Sequence, residues 1–189
     1  FGDPLYCAIF IVLSAVFDFF DGFVARLLKV SSDIGKELDS LADVISFGFA
    51  PAALVCNMFK DYPYPESMFW IAPYLPYAAF IIAAFSAVRL AKFNIDTRQT
   101  HSFIGMPTPA NALLIIGVAN APLLQVAWTT PIWGLIFLFS LIALTSYLLV
   151  CELPMFSMKF SKDDSPSLKR KRLSFFIEII VVLALTLIF

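Results

Sequence analysis

The stretch Leu5-Tyr6-Cys7-Ala8-Ile9-Phe10-Ile11-Val12-Leu13-Ser14-Ala15-Val16-Phe17-Asp18-Phe19-Phe20-Asp21-Gly22-Phe23-Val24-Ala25-Arg26-Leu27-Leu28 decides the architecture. It is apolar almost throughout and, as a helix, long enough to cross a hydrocarbon core of ~30 Å. Its charged groups, Asp18, Asp21 and Arg26, are confined to the second half. Five more apolar segments follow: Leu38–Phe59, Met68–Leu90, Thr108–Ala127, Pro131–Val150 and Leu173–Phe189. Prolines mark the joints, and Pro73 and Pro76 predict a kink at the start of the third segment. The pattern predicts an all-α, polytopic transmembrane helical bundle forming a single domain over residues 1–189, with about six spans visible. The chain opens on Phe1 without a Met or a basic leader, so one further helix is expected before it, and there is room for another after Phe189.

Composition agrees. The 189 residues are 60% hydrophobic and only 14% charged, with a mean hydropathy of +0.87. A soluble domain is about 25% charged, so this chain has too little polar surface to cover a water-exposed globule. A net charge of -1 leaves no basic footprint for nucleic acid. Cys7, Cys56 and Cys151 lie far apart in apolar sequence and read as small buried hydrophobes. Of the 13 Lys and Arg residues, all but Lys60 fall in the loops after the first, third and fifth segments. The positive-inside rule then places those three loops in the cytoplasm, for an integral protein of a prokaryotic cell or inner membrane. Trp70, Trp128 and Trp133 fall towards the opposite ends of their spans and predict an interfacial aromatic belt.

Carboxylates inside an apolar span are costly and mark function. Asp18 and Asp21 stand at i,i+3 near the cytoplasmic end of the first span, and Asp39 and Asp43 at i,i+4 at the start of the second. Each pair shares a helix face, and two short-linked antiparallel helices would turn the pairs towards one another. Four like charges at close range need cations to neutralise them. An all-oxygen donor set suits two hard divalent cations, Mg²⁺ or Mn²⁺, with open positions for phosphate oxygens. Gly22 and Ala25 keep side chains away where a ligand must approach, and Arg26 offers a phosphate partner. The plain alternative, helix-end acids facing interfacial water, is acceptable for any one of them and poor for four in paired register.

Written out, Asp18-x2-Asp21-Gly22-x2-Ala25-Arg26-x8-Gly35-x3-Asp39-x3-Asp43 resembles the full signature of the CDP-alcohol phosphotransferase family, with no position departing from it. The stretches Glu37–Gly48, Arg89–Asn94 and Phe103–Pro109 resemble its membrane-embedded phosphatidylserine synthase branch. Between residues 14 and 110 the likeness is extensive; the last two spans match only in hydropathy. The resemblance implies transfer of the phosphatidyl group of CDP-diacylglycerol to the hydroxyl of L-serine, giving phosphatidylserine and CMP. It implies that Asp18, Asp21, Asp39 and Asp43 hold the metals and that Asp43 is the general base. Asp21, Gly22, Ala25, Arg26 and Gly35 would bind the CDP-lipid. Family members are generally homodimers, and a homodimer among membrane lipids is the expectation here.

For the serine zwitterion, Arg89, Lys92, Asn94 and Thr108 are the candidates. Each has a plainer reading: Arg89 and Lys92 as snorkelling anchors, Asn94 as a helix end, Thr108 as a helix N-cap. His101, the single histidine, reads as solvated. Two rival functions remain. A relative acting on glycerol 3-phosphate or inositol phosphate would want a more cationic acceptor pocket. A carrier with a carboxylate relay would want acids spread across depth.

Overall fold

The computed structural model describes residues 3–28, 32–95, 103–152 and 154–155. They form α1 (Pro4–Leu28), α2 (Asp33–Asp43), a π-helical stretch (Val44–Phe49), α3 (Ala50–Lys60), short 3₁₀ turns at Glu66–Met68 and Leu75–Phe80, α4 (Ile81–Ile95), α5 (Thr108–Asn120), α6 (Pro122–Thr129) and α7 (Trp133–Val150). The all-α expectation holds, with one addition: residues Phe103–Ile104 (β1) and Pro154–Met155 (β2) pair as a two-residue antiparallel ladder. Four helical stretches among the described residues are long and apolar enough to cross a membrane, Pro4–Ala25, Asp33–Lys60, Leu75–Ile95 and Trp133–Val150.

Three boundaries differ from the sequence reading. The second span begins earlier, at Asp33, where the Ser32 hydroxyl accepts from the Gly35 N–H at 3.0 Å and caps α2. The third begins later, because Pro73 and Pro76 replace its first turns with irregular and 3₁₀ backbone before α4. The fourth is not one helix. Ala121 is extended (ψ 115) and Pro122 starts α6, so α5 ends after 13 residues, too short to cross a hydrocarbon core. The sixth segment, Leu173–Phe189, lies outside the described residues, as does His101.

The π stretch has a local cause. Pro51 has no N–H, and its ring crowds the carbonyl four residues back, which an ordinary α turn would not accommodate. The Ala50 N–H instead donates to Ile45 O, one residue further back, and the widened turn lets the helix continue. The extra residue re-phases the helix after Asp43 and buries Phe47 and Gly48. At Gly48 a Cβ would lie 3.0 Å from Ser86 Cβ, so α4 packs there at backbone range.

The core is apolar at the centre of the bundle, with Phe59, Ile82, Ile115 and Leu138 fully buried. A smaller cluster joins Ile11 of α1, Phe47 and Ala112 of α5. Outward-facing side chains are also apolar, with Phe10, Phe17, Leu27, Ile81 and Tyr147 exposed, as a lipid environment requires. The aromatic belt is corrected at one position. Trp70 and Trp133 are exposed, whereas Trp128 is buried in the core, where α6 folds back beside α7. Cys56 is buried, Cys7 and Cys151 are half-buried, and all three are free.

Candidate active site

The two carboxylate pairs are brought together by a contact the sequence does not spell out. Ser14 Oγ of α1 donates to Ser46 Oγ of the π stretch at 3.3 Å. Moving away from the carboxylates, Cys7, Ile11, Phe47 and Ala50 pack into one cluster, so the helices run antiparallel. In the other direction Asp18 and Asp21 lie one and two turns beyond Ser14, and Asp43 and Asp39 one and two turns before Ser46. The pairs therefore share one end of the helix–helix crossing. Asp18 lies within electrostatic range of Asp21 and Asp39, and Asp43 within range of Asp18, Asp39 and Arg89. Asp18 and Asp43 are half-buried; Asp21 and Asp39 are exposed.

Among the described residues the one ion pair is the exposed Lys36–Asp33 contact at 3.5 Å, so no described cation is paired with any of the four aspartates. All eight carboxylate oxygens are hard donors, which fits a divalent cation in chemistry. As placed, no three acids among the described residues stand close enough together to ligate one ion. The four carboxylates lie within electrostatic range of one another without forming a closed coordination sphere.

The remaining candidates divide. Gly22 and Ala25 are exposed on α1 near the carboxylates; the Arg26 side chain lies outside the described residues. Gly35 sits where a Cβ would lie 2.9 Å from the capping Ser32 Oγ, so it has a local role in starting α2. Lys92 is exposed. Asn94 Nδ2 donates to Ser40 Oγ at 3.0 Å, tying the end of α4 to α2 between Asp39 and Asp43. Arg89 does not snorkel: it is 7% exposed, with its guanidinium 5.3 Å from the Phe93 ring centroid. Thr108 is not the N-cap of α5. Pro107 holds that position, and Thr108, fully buried, leaves its hydroxyl without a partner among the described residues.

Asn111 and Ser146 were not singled out from the sequence. Both are buried, with side-chain polar atoms that have no partner among the described residues, and an amide one turn after Thr108 inside an apolar helix is the available signal. A cavity of about 450 Å³ lies elsewhere, lined by Pro4, Asn57, Lys60, Asp61, Gln125 and Trp128 among others. Pro4 is 14 residues from Asp18 on α1, about 20 Å along the helix, so this opening is not the carboxylate site.

A helical membrane protein with two carboxylate pairs at one end of a helix crossing is the class that fold and site define. Residues 2–150 match the CDP-alcohol phosphatidyltransferase family, and the chain belongs to it. It is 45% identical over 107 residues to the CDP-diacylglycerol–serine O-phosphatidyltransferase of Methanocaldococcus jannaschii, covering 57% of this chain and 47% of that one. The protein of the same name from Helicobacter pylori is 43% identical over 108 residues (56% and 42% covered). That from Mycobacterium leprae is 36% identical over 157 residues (78% and 48%). The chain spans about half the length of these curated relatives.

Proposed function

We propose that this protein transfers the phosphatidyl group of CDP-diacylglycerol to the hydroxyl of L-serine, releasing CMP, at the cytoplasmic face of the membrane. The observation that carries the reading is the placement of Asp18 and Asp21 opposite Asp39 and Asp43 beyond the Ser14–Ser46 contact, with no described cation paired to them. The names of the relatives support serine as acceptor.

In this reading Asp18, Asp21, Asp39 and Asp43 hold two divalent cations, Mg²⁺ or Mn²⁺. When bound, the cations neutralise the diphosphate and the charge that grows on departing CMP. Asp21, Gly22, Ala25, Arg26 and Gly35 bind the CDP moiety, with the small residues allowing close approach. Asp43 takes the proton from the serine hydroxyl. The serine oxygen forms the new bond to the lipid-bearing phosphorus in line with the bond that breaks to CMP. Arg89, Lys92, Asn94 and Thr108 are the acceptor side of the site, and Arg89, buried and within range of Asp43, is the strongest of them. A homodimer in the membrane completes the proposal.

The test uses the full-length protein in detergent with CDP-diacylglycerol. CMP release is followed with serine, glycerol 3-phosphate, inositol or inositol phosphate, in Mg²⁺, Mn²⁺ or EDTA. Release with serine and metal only, abolished in Asp43→Asn, is the expected result. Release with a different acceptor would keep the metal site and discard serine.

A further inference from the structure

The buried polar side chains of the bundle fall into two groups. Ser86 Oγ and Thr145 Oγ1 donate to the carbonyls of Ile82 and Leu141, one turn back, at 2.9 and 2.8 Å, and need nothing more. Thr108 Oγ1, both polar atoms of the Asn111 side chain, Ser146 Oγ and Arg89 Nε are buried with no partner among the described residues. An unpaired interior amide is heavily penalised unless something else satisfies it.

These orphaned groups lie on helices that pack together. Thr108 and Asn111 stand one turn apart on the buried face of α5, and α4, α5 and α7 are mutual neighbours. The Met106 N–H donates to Leu148 O at 2.8 Å, which seats the start of α5 beside the last turns of α7, near Ser146. Ala112, next to Asn111, packs with Phe47, four residues after Asp43. The Gly48–Ser86 approach holds α4 so that Arg89 comes within electrostatic range of Asp43. Asn111 therefore neighbours the π stretch about one turn beyond Asp43, on a helix that also touches α4, which carries Arg89.

An amide and a hydroxyl offer donors and acceptors together, and the guanidinium adds one cation. That set suits a small zwitterion: carboxylate to Arg89 and the Asn111 Nδ2 donors, ammonium to Asn111 Oδ1 and Thr108 Oγ1. We infer that Asn111 is a specificity-determining residue for the acceptor, its unpartnered amide binding the α-carboxylate and α-ammonium of an amino acid beside Arg89. This rests on the amino-acid acceptor reading above.

The experiment compares full-length wild type with Asn111→Leu, which keeps the branched shape and heavy-atom count of the side chain but is bulkier and has no polar atoms. Serine KM is expected to rise about tenfold or more, with the KM for CDP-diacylglycerol within about twofold. The melting temperature is expected to stay near that of wild type, because removing an unpaired amide from an apolar interior offsets the cost of the added bulk. Serine should also raise the melting temperature of wild type and not of the variant. An unchanged serine KM with a lowered melting temperature would make Asn111 a structural residue satisfied by water and overturn the inference. If Asn111→Leu does not fold, Asn111→Ser replaces it under the same criteria. Wild type that uses glycerol 3-phosphate or inositol in place of serine would refute the amino-acid reading itself, an outcome visible without any variant.

Discussion

The Asn94 side-chain amide donates to the Ser40 hydroxyl at 3.0 Å, joining α4 to α2 across 54 residues of sequence. Ser40 lies between Asp39 and Asp43, so this bond helps fix the second carboxylate pair relative to Arg89, five residues before Asn94. Asn94 thus has an alternative to binding substrate, namely holding the two helices in register. If it acts through Ser40, Asn94→Ala and Ser40→Ala should lower activity to a similar degree, and the double variant should be little worse than either. The measurement is a double-mutant cycle on kcat and serine KM. A serine KM raised by Asn94→Ala and untouched by Ser40→Ala would make Asn94 a substrate ligand.

The close approach of Gly48 to Ser86 predicts a steric coupling. Gly48→Ala brings a Cβ within 3.0 Å of Ser86 Cβ, on a helix backbone with little freedom to retreat. Overpacking of this kind costs about 1–3 kcal/mol. The variant should melt lower and lose activity by moving α4 off the site. Adding Ser86→Gly should recover part of the loss despite its own helix-propensity penalty of about 1 kcal/mol. Independent, additive losses would show that the contact does not position α4.

Clustered carboxylates with no described cation paired to them predict a metal-dependent stability. Mg²⁺ or Mn²⁺ should raise the melting temperature of the full-length protein, and Asp18→Asn should remove most of that rise. Without metal, Asp18→Asn should melt no lower than wild type, since one of the mutually repelling charges is gone. Asp43→Asn is expected to lower kcat by about 10²–10⁴-fold as the base is lost. Asp33→Asn breaks only the exposed pair with Lys36 and should stay within about twofold of wild type. A metal-induced rise that survives Asp18→Asn would place the ion elsewhere.

At the opposite end of the bundle, Ile132 adopts φ 66, a conformation unfavourable for a β-branched residue. Its N–H donates to the Tyr62 hydroxyl at 2.8 Å, and the buried Tyr62 ring meets Tyr64 edge-on at 4.9 Å. Tyr62→Phe removes the acceptor and should destabilise by about 1–3 kcal/mol. Ile132→Gly relieves the backbone strain, about 1–3 kcal/mol, against the greater freedom of glycine in the unfolded chain. Its melting temperature should therefore match or exceed wild type. A sharp fall would mean that the exposed Ile132 side chain is needed for packing in the membrane.

Much of this was legible in the amino-acid order because it is governed by local geometry. A run such as Leu5–Leu28 can satisfy its backbone in lipid only as a helix, and a helix turns about 100° per residue whatever surrounds it. The spacing of Asp18 with Asp21 and of Asp39 with Asp43 therefore places each pair on one face without knowledge of any partner helix. The prolines at 73 and 76 announce irregular backbone for the same local reason. Pro122 carries the same local signal, yet hydropathy alone reads Thr108–Ala127 as one span, and the break between α5 and α6 falls at that proline.

Other features belong to the tertiary structure because they depend on which helices cross. The π turn after Asp43 re-phases the chain so that Gly48 meets Ser86. Trp128 is in the core because α6 packs beside α7. Arg89 is buried, where the sequence also allows a snorkelling anchor, because α4 lies along the π stretch and α7. Above all, whether a polar side chain in an apolar helix is satisfied depends on what the neighbouring helices present to it. Ser86 and Thr145 are answered by their own backbones, while Thr108, Asn111 and Ser146 are left open. Helical spacing assigns a residue to a face; only the packing of other helices against that face decides whether its polar atoms are free to bind a ligand.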